Sequence, residues 1–308
     1  MNNTKGRRRF LQAMITVPAA TLTGTILNTG PAFAGDPDIR FSDSRLKTSL
    51  NAYSFNELLE NGSFNLEQLL DFASDHMIDA VDLTAYYFPD YPQVPPDDFL
   101  YDLKREAFVR GVEISGTGIR NNFTEPDEEK RKMDIELIKN WIVAAEKMGA
   151  PVIRIFAGQP ADENISREKI LDRMAPDIRQ CVDFGKQHGV VVGMQNHNDF
   201  IKTPEHALQV LDKIKSDWFG LILDTGSYRS GDPYRQIEQT ARHAVNWQVK
   251  EKVYIDGKEE TVNLKKLVGI IRSSGYRGYL PIETLPPRDP RIAVPELLKK
   301  LKKAIGYG

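Results

Sequence analysis

VVVGMQNHNDFIKTPEHALQVLDKI, running from Val190 to Ile214, decides the fold. Val190–Met194 is an unbroken apolar run, the pattern of a strand covered on both faces in a parallel sheet. Gln195-Asn196-His197-Asn198-Asp199 then crowds polar residues at the strand exit. Thr203 and Pro204, a capping hydroxyl and a first-turn proline, open a helix predicted over Pro204–Ile214.

Working outward, the same strand–helix alternation repeats in both directions. Strands are predicted over Leu46–Phe55, Val81–Phe88, Val112–Ile119 and Val152–Ala157 before this unit, and over Gly220–Leu223, Ala244–Val249 and Tyr279–Ile282 after it. Helices are predicted over Leu66–Ile78, Asp97–Arg110, Asp127–Met148, Ser166–His188, Pro233–His243, Leu264–Ser274 and Val294–Ile305. Eight strands, each followed by a helix, predict a single closed parallel (β/α)8 barrel over residues 46–308, with an open doubly wound sheet as the alternative. Asp256-Gly257, lying between β-formers in Val253–Thr261, predicts a hairpin inserted after strand seven.

The 308 residues suit one such domain, since α/β barrels of about 250 residues fold as a unit. The N-terminus reads differently. Arg7-Arg8-Arg9-Phe10-Leu11 opens a basic segment, a mildly apolar stretch follows from Ala13 to Leu27, and Ala32-Phe33-Ala34 has the small–x–small pattern of a cleavage site. The two arginines and Phe-Leu resemble a twin-arginine signal, departing from it at Gly6 and Gln12. Residues 1–34 are therefore expected to be an export signal, residues 35–45 a lead-in, and the mature protein periplasmic or secreted. Loss of Lys5, Arg7, Arg8 and Arg9, with no acid removed, takes the net charge from −2 to −6. An acidic chain without basic runs argues against a nucleic-acid partner. No later apolar run approaches the ~18 residues of a membrane span, and the one cysteine, Cys181, excludes an internal disulfide. The oligomeric state is left open.

Catalytic groups of such barrels sit where strands end. Gln195, Asp224, Gln248 and Glu283 fall at four successive strand ends, where a buried parallel strand should read as apolar. Two acids and two amide carbonyls suit a hard divalent ion: Mn²⁺ or Mg²⁺ first, with Co²⁺ or Ca²⁺ as alternatives. A hydrogen-bonded polar ring without metal is the other reading. Lys250 also faces this mouth, or pairs with Glu283. Arg154 is expected either to clamp a substrate oxygen or to pair with Asp224 or Glu283. Asn196 and Tyr86 are candidate substrate contacts, and His197 a candidate catalytic group.

Four segments resemble the xylose isomerase-like barrel superfamily, which includes sugar phosphate isomerases and epimerases, ketohexose epimerases, hydroxypyruvate isomerase and endonuclease IV. Val190–His197 resembles its Val-x-x-x-x-Glu-Asn-His, Leu221–Gly226 its Leu-x-Leu-Asp-Thr-Gly, Trp247–Lys250 its x-His-x-Lys, and Gly278–Thr284 its Gly-Tyr-x-x-x-Glu. The likeness spans roughly Leu46 to Ile305. It implies a divalent ion held by Glu, Asp, His and Glu, which fall by position on Gln195, Asp224, Gln248 and Glu283. Two of the four depart from that pattern.

The resemblance also implies proton abstraction beside a sugar carbonyl, with an enediolate intermediate and bases on both faces of the carbon. Gln195 accepts no proton, so a one-base reaction is expected, with Glu283 as base and His197 or Lys250 as a second group. Export and the lack of a phosphate-binding loop favour a non-phosphorylated sugar or keto-sugar. Elimination from an oxidised (3-keto) glycoside is the alternative reaction, and a catalytically silent sugar-binding barrel the alternative class. Endonuclease IV chemistry is disfavoured, because no histidine stands three residues after Asp224 and Gln248 replaces another.

Overall fold

The computed structural model describes residues 45–159 and 165–306. The expected export segment, residues 1–34, and the lead-in to residue 44 lie outside the described residues. The strands are β1 (Lys47–Asn51), β2 (Ala80–Thr84), β3 (Glu113–Gly118), β4 (Val152–Phe156), β5 (Val191–Gln195), β6 (Phe219–Asp224), β7 (Ala244–Lys250), β8 (Lys252–Ile255), β9 (Lys258–Thr261) and β10 (Tyr279–Glu283). The helices are α1 (Asn56–Glu60), α2 (Leu66–Asp75), α3 (Asp97–Val109), α4 (Glu128–Met148), α5 (Arg167–Gln187), α6 (Pro204–Ile214), α7 (Pro233–Thr240), α8 (Leu264–Ser273) and α9 (Pro290–Ile305).

Eight strands close in the order β1-β10-β7-β6-β5-β4-β3-β2, and every neighbouring pair is parallel. Because β1 pairs with both β2 and β10, no strand of the barrel is an edge, and the open-sheet alternative is excluded. Apart from the short α1, which has no buried residue, each of these helices buries one face. Along α4, Ile135, Ile138, Trp141, Ile142 and Ala145 are buried while the charged residues between them face outward. None of the described helices is long and apolar enough to cross a membrane.

Helix starts follow local chemistry. Thr203 accepts a hydrogen bond from the His206 amide, and Ser166 one from the Lys169 amide. Two predicted strands are shorter than expected. β1 stops at Asn51, whose side chain accepts from the Tyr53 amide and starts a 3₁₀ turn over Ala52–Phe55. β2 stops at Thr84 before a similar turn, Ala85–Tyr87. The last helix starts four residues earlier than the prediction of Val294, because Asp289 caps it and Pro290 occupies its first turn.

A polar layer crosses the barrel interior below the mouth. The hydroxyls of Ser49 and Ser115 lie 2.7 Å apart, and Asn246 Nδ2 donates to Asp82 Oδ2 at 3.3 Å. All four residues are buried. Burial pushes the Asp82 carboxyl up to about 6, a shift Glu283 adds to and Arg154 opposes.

Candidate active site

Successive strand ends deliver the expected residues to one place. Across the β6–β7 pair Asp224 stands beside Gln248, and across β7–β10 Glu283 stands beside Lys250. Gln248 and Lys250, two apart on one strand, share a face, with Lys250 nearer the strand end. Gln195, Asp224, Gln248 and Glu283 are all buried, and the Lys250 side chain is 15% exposed.

Hydrogen bonds and one longer ion pair join these five side chains. Gln195 Nε2 donates to Asp224 Oδ2 at 2.8 Å, and the Gly226 amide donates to Asp224 Oδ1 at 2.9 Å. Gln248 Nε2 donates to Glu283 Oε2, and Lys250 Nζ donates to Glu283 Oε1. Lys250 Nζ also lies 3.7 Å from Asp224 Oδ2, so one ammonium touches both acids. Burial pushes the Glu283 carboxyl up and Asp224 adds to this, while Lys250 opposes it. Burial also pulls the Lys250 ammonium down, but Asp224 and Glu283 together outweigh it, and its pKa rises.

This arrangement bears on the expected divalent ion. All four oxygens of Asp224 and Glu283 already face a hydrogen-bond donor. Both glutamines turn N–H groups, not carbonyls, toward the acids. Only Gln248 Oε1 among these groups is buried without a partner. One free carbonyl beside a paired ammonium does not make a divalent site, so the residues as arranged do not fit the ion.

Arg154 does not form the ion pair that was one of its two expected roles. Its guanidinium pairs with neither Asp224 nor Glu283; it donates to Ile119 O at 3.1 Å and to the Tyr86 hydroxyl at 2.7 Å, and lies 4.1 Å from the Phe156 ring centre. Gly118, its neighbour on β3, leaves it room, since a Cβ there would lie 2.6 Å from Arg154 Nε. Tyr86 thus anchors Arg154. Asn196 has a different place from the expected substrate contact. Its Oδ1 accepts from the Asp224 amide at 2.8 Å and its Nδ2 donates to the Asp224 carbonyl at 3.0 Å. It is a strut between β5 and β6, with both ends of its amide engaged.

His197 sits at the rim, its side chain 52% exposed, with Nδ1 3.6 Å from Asp199 Oδ2 and its ring 4.8 Å from that of Phe156. Asp199 is buried and accepts from the Ile201 amide at 3.2 Å, which holds it in place. Sequence reasoning did not single out Asp199 as an orienting group, although its position two residues after a strand-exit histidine was a usable signal. Thr225 was also missed: its hydroxyl accepts from the Lys250 amide at 3.0 Å and fixes the strand end that carries the lysine.

Comparisons with known proteins agree with this architecture. No curated protein matches the chain significantly. Among solved structures, D-psicose 3-epimerase with D-tagatose from Clostridium cellulolyticum H10 is similar with a TM-score of 0.71 at 15% identity, over 84% of this chain and 99% of that one. IolI protein with a binding zinc atom is similar with a TM-score of 0.67 at 16% identity, over 84% and 96%. The 3-keto-D-glucoside 4-epimerase of E. coli is similar with a TM-score of 0.64 at 14% identity, over 84% and 99%. Identities this low show a shared fold. The family model for the xylose isomerase-like TIM barrel matches residues 70–304, and the chain belongs to that family.

Proposed function

We propose that this barrel is a sugar isomerase or epimerase-like enzyme that moves a proton beside the carbonyl of a non-phosphorylated sugar or keto-sugar. The observation that carries this reading is the gathering of Lys250, Asp224, Glu283, Gln195 and Gln248 at one mouth, with Arg154 held by neutral oxygens. A cation held by neutral oxygens, as Arg154 is, keeps the charge that a developing enediolate oxygen needs. The names of similar folds, epimerases of a ketohexose and of a keto-glucoside, support the substrate class.

Within this reading, Arg154 and Lys250 hold substrate oxygens, and the free carbonyl of Gln248 accepts from a sugar hydroxyl. His197 takes the proton. Its ring is half exposed and has Asp199 3.6 Å away, whereas Glu283, the base expected from sequence, has both oxygens engaged by Gln248 and Lys250. The C–H pair forms a carbon–carbon double bond as the carbonyl π pair moves onto oxygen; the imidazolium then returns its proton to the former carbonyl carbon, while the neighbouring hydroxyl gives its proton to the enediolate oxygen. A metal ion takes no part in these steps, because the donor set does not fit one.

Elimination is the second reading, favoured by Gln195, which donates to Asp224 and offers no base on the second face. The same enolate then expels a glycosidic oxygen, which leaves as the alcohol once protonated. Residues 1–34 are assigned as a twin-arginine export signal, from Arg7–Leu11 followed by Ala32-Phe33-Ala34.

Incubation with ketose and keto-glycoside panels in D₂O tests the activity. Deuterium should enter the carbon beside the carbonyl, or the glycosidic bond should break. His197→Asn should lower kcat by about 10²–10⁴-fold with little change in KM. Saturable sugar binding without exchange or cleavage would instead identify a silent sugar-binding barrel.

A further inference from the structure

We infer that the Lys250 ammonium is the resident cation of this mouth, standing where the resemblance implies a divalent ion, and that it meets the substrate's carbonyl oxygen. The role given to the lysine rests on the proposed proton-transfer chemistry; its exclusion of metal does not. Three features of the structure converge on it. The ammonium contacts Glu283 and lies 3.7 Å from Asp224, so it occupies the space between the two acids that a bridging ion would need. The two departures from the family pattern remove the charges that would let a second cation join it. Gln195 and Gln248 bring no negative charge and turn N–H groups to the carboxylates. Finally, the lysine side chain is 15% exposed while its acid partners are sealed, so the lysine is the one member of the trio that reaches the surface of the mouth.

The electrostatics are self-consistent. One ammonium between two carboxylates leaves a single negative charge, which Arg154 across the mouth offsets. Adding a divalent ion beside a fixed ammonium would place like charges a few ångströms apart in a buried site, which is strongly unfavourable. An ammonium also does what the chemistry asks of a cation. Two of its three N–H groups face Glu283 and Asp224, leaving the third to donate to the oxygen on which negative charge develops. Thr225, through the Lys250 backbone amide, and the Asn196 strut, through the Asp224 backbone, fix both sides of the contact.

Manganese titration of the whole protein, followed by electron paramagnetic resonance of the free ion, reads this directly. The native protein should show no saturable Mn²⁺ site up to millimolar metal. Lys250→Met exposes the two carboxylates to the ion and should tighten Mn²⁺ binding by at least about a hundredfold. Lys250→Gln, which removes the ammonium charge and keeps a polar side chain, is the second variant should the methionine form fail to fold. Lys250→Arg keeps the charge and should bind no more metal than the native chain. Turnover on the sugar identified by deuterium exchange should survive exhaustive dialysis against EDTA.

One equivalent of Mn²⁺ bound at micromolar concentration by the native protein, and lost in Asp224→Asn, would overturn the inference. So would an unchanged metal affinity in a folded Lys250→Met or Lys250→Gln. The metal titration needs no substrate, so an inactive protein that still excludes Mn²⁺ refutes the proposed reaction and leaves the resident cation standing.

Discussion

Between 3.8 and about 6, the buried Asp82 keeps a proton in the native barrel that it loses in the unfolded chain. The native state then binds more protons than the unfolded one, so this residue makes stability fall as pH rises through that window, by about 3 kcal/mol in total. Asp82→Asn removes the effect while keeping the side-chain shape. Urea unfolding should find the variant and the native protein equally stable near pH 4, with the variant ahead by about that amount at pH 7. Asp82 was not legible as special in the sequence. A single acid inside a strand reads as one polar step in an alternating pattern, and only closure of the barrel sets it against Asn246 and the Ser49–Ser115 pair. Gln195, Asp224 and Glu283 were legible for the opposite reason, since each ends an apolar run where nothing polar belongs without a partner, and Gln248 lies between the apolar Trp247 and Val249. The pairing of Lys250 with Glu283 was legible as one of two readings, but its reach to Asp224 was not, because no spacing sets one ammonium between acids on two other strands.

Among elements, the hairpin of β8 and β9 is attached to the barrel at few points. Its residues are mostly exposed, apart from Val253, and the Asp256 amide donates to Gly231 O at 3.1 Å. Asp256 and Gly257 have φ of 48° and 79°, the left-handed pair that the Asp-Gly reading requires. Gly257→Val puts a β-branched side chain in that region at a cost of about 1–2 kcal/mol. The expected result is faster amide exchange in residues 252–261 with protection in β1–β7 and β10 unchanged. Global loss of protection would show that the hairpin is part of the cooperative unit. Element type was readable throughout because each buried strand and each capped helix carries its own local chemistry. Element ends were less so: Asn51 and Thr84 stop strands whose apolar composition runs on for several residues, and the early start of α9 is set by Asp289, ahead of the Val294 at which its apolar pattern begins.

For the molecule as a whole, the proposed export signal has a simple check: N-terminal sequencing of protein from the native host should begin at Gly35, and an intact Met1 recovered from the cytoplasm would refute the assignment. The order of the site residues along the chain has a further consequence. Gln195, Asp224, Gln248 and Lys250 are all synthesised before Glu283, which sits on β10, the strand that closes the barrel between β7 and β1. A nascent or truncated chain that ends before residue 283 leaves Lys250 and Gln248 on an open sheet edge, without the acid both of them contact. The mouth therefore cannot be half-built. The competence of the site is tied to completion of the chain, and a fragment long enough to carry most of its functional groups is still without a site.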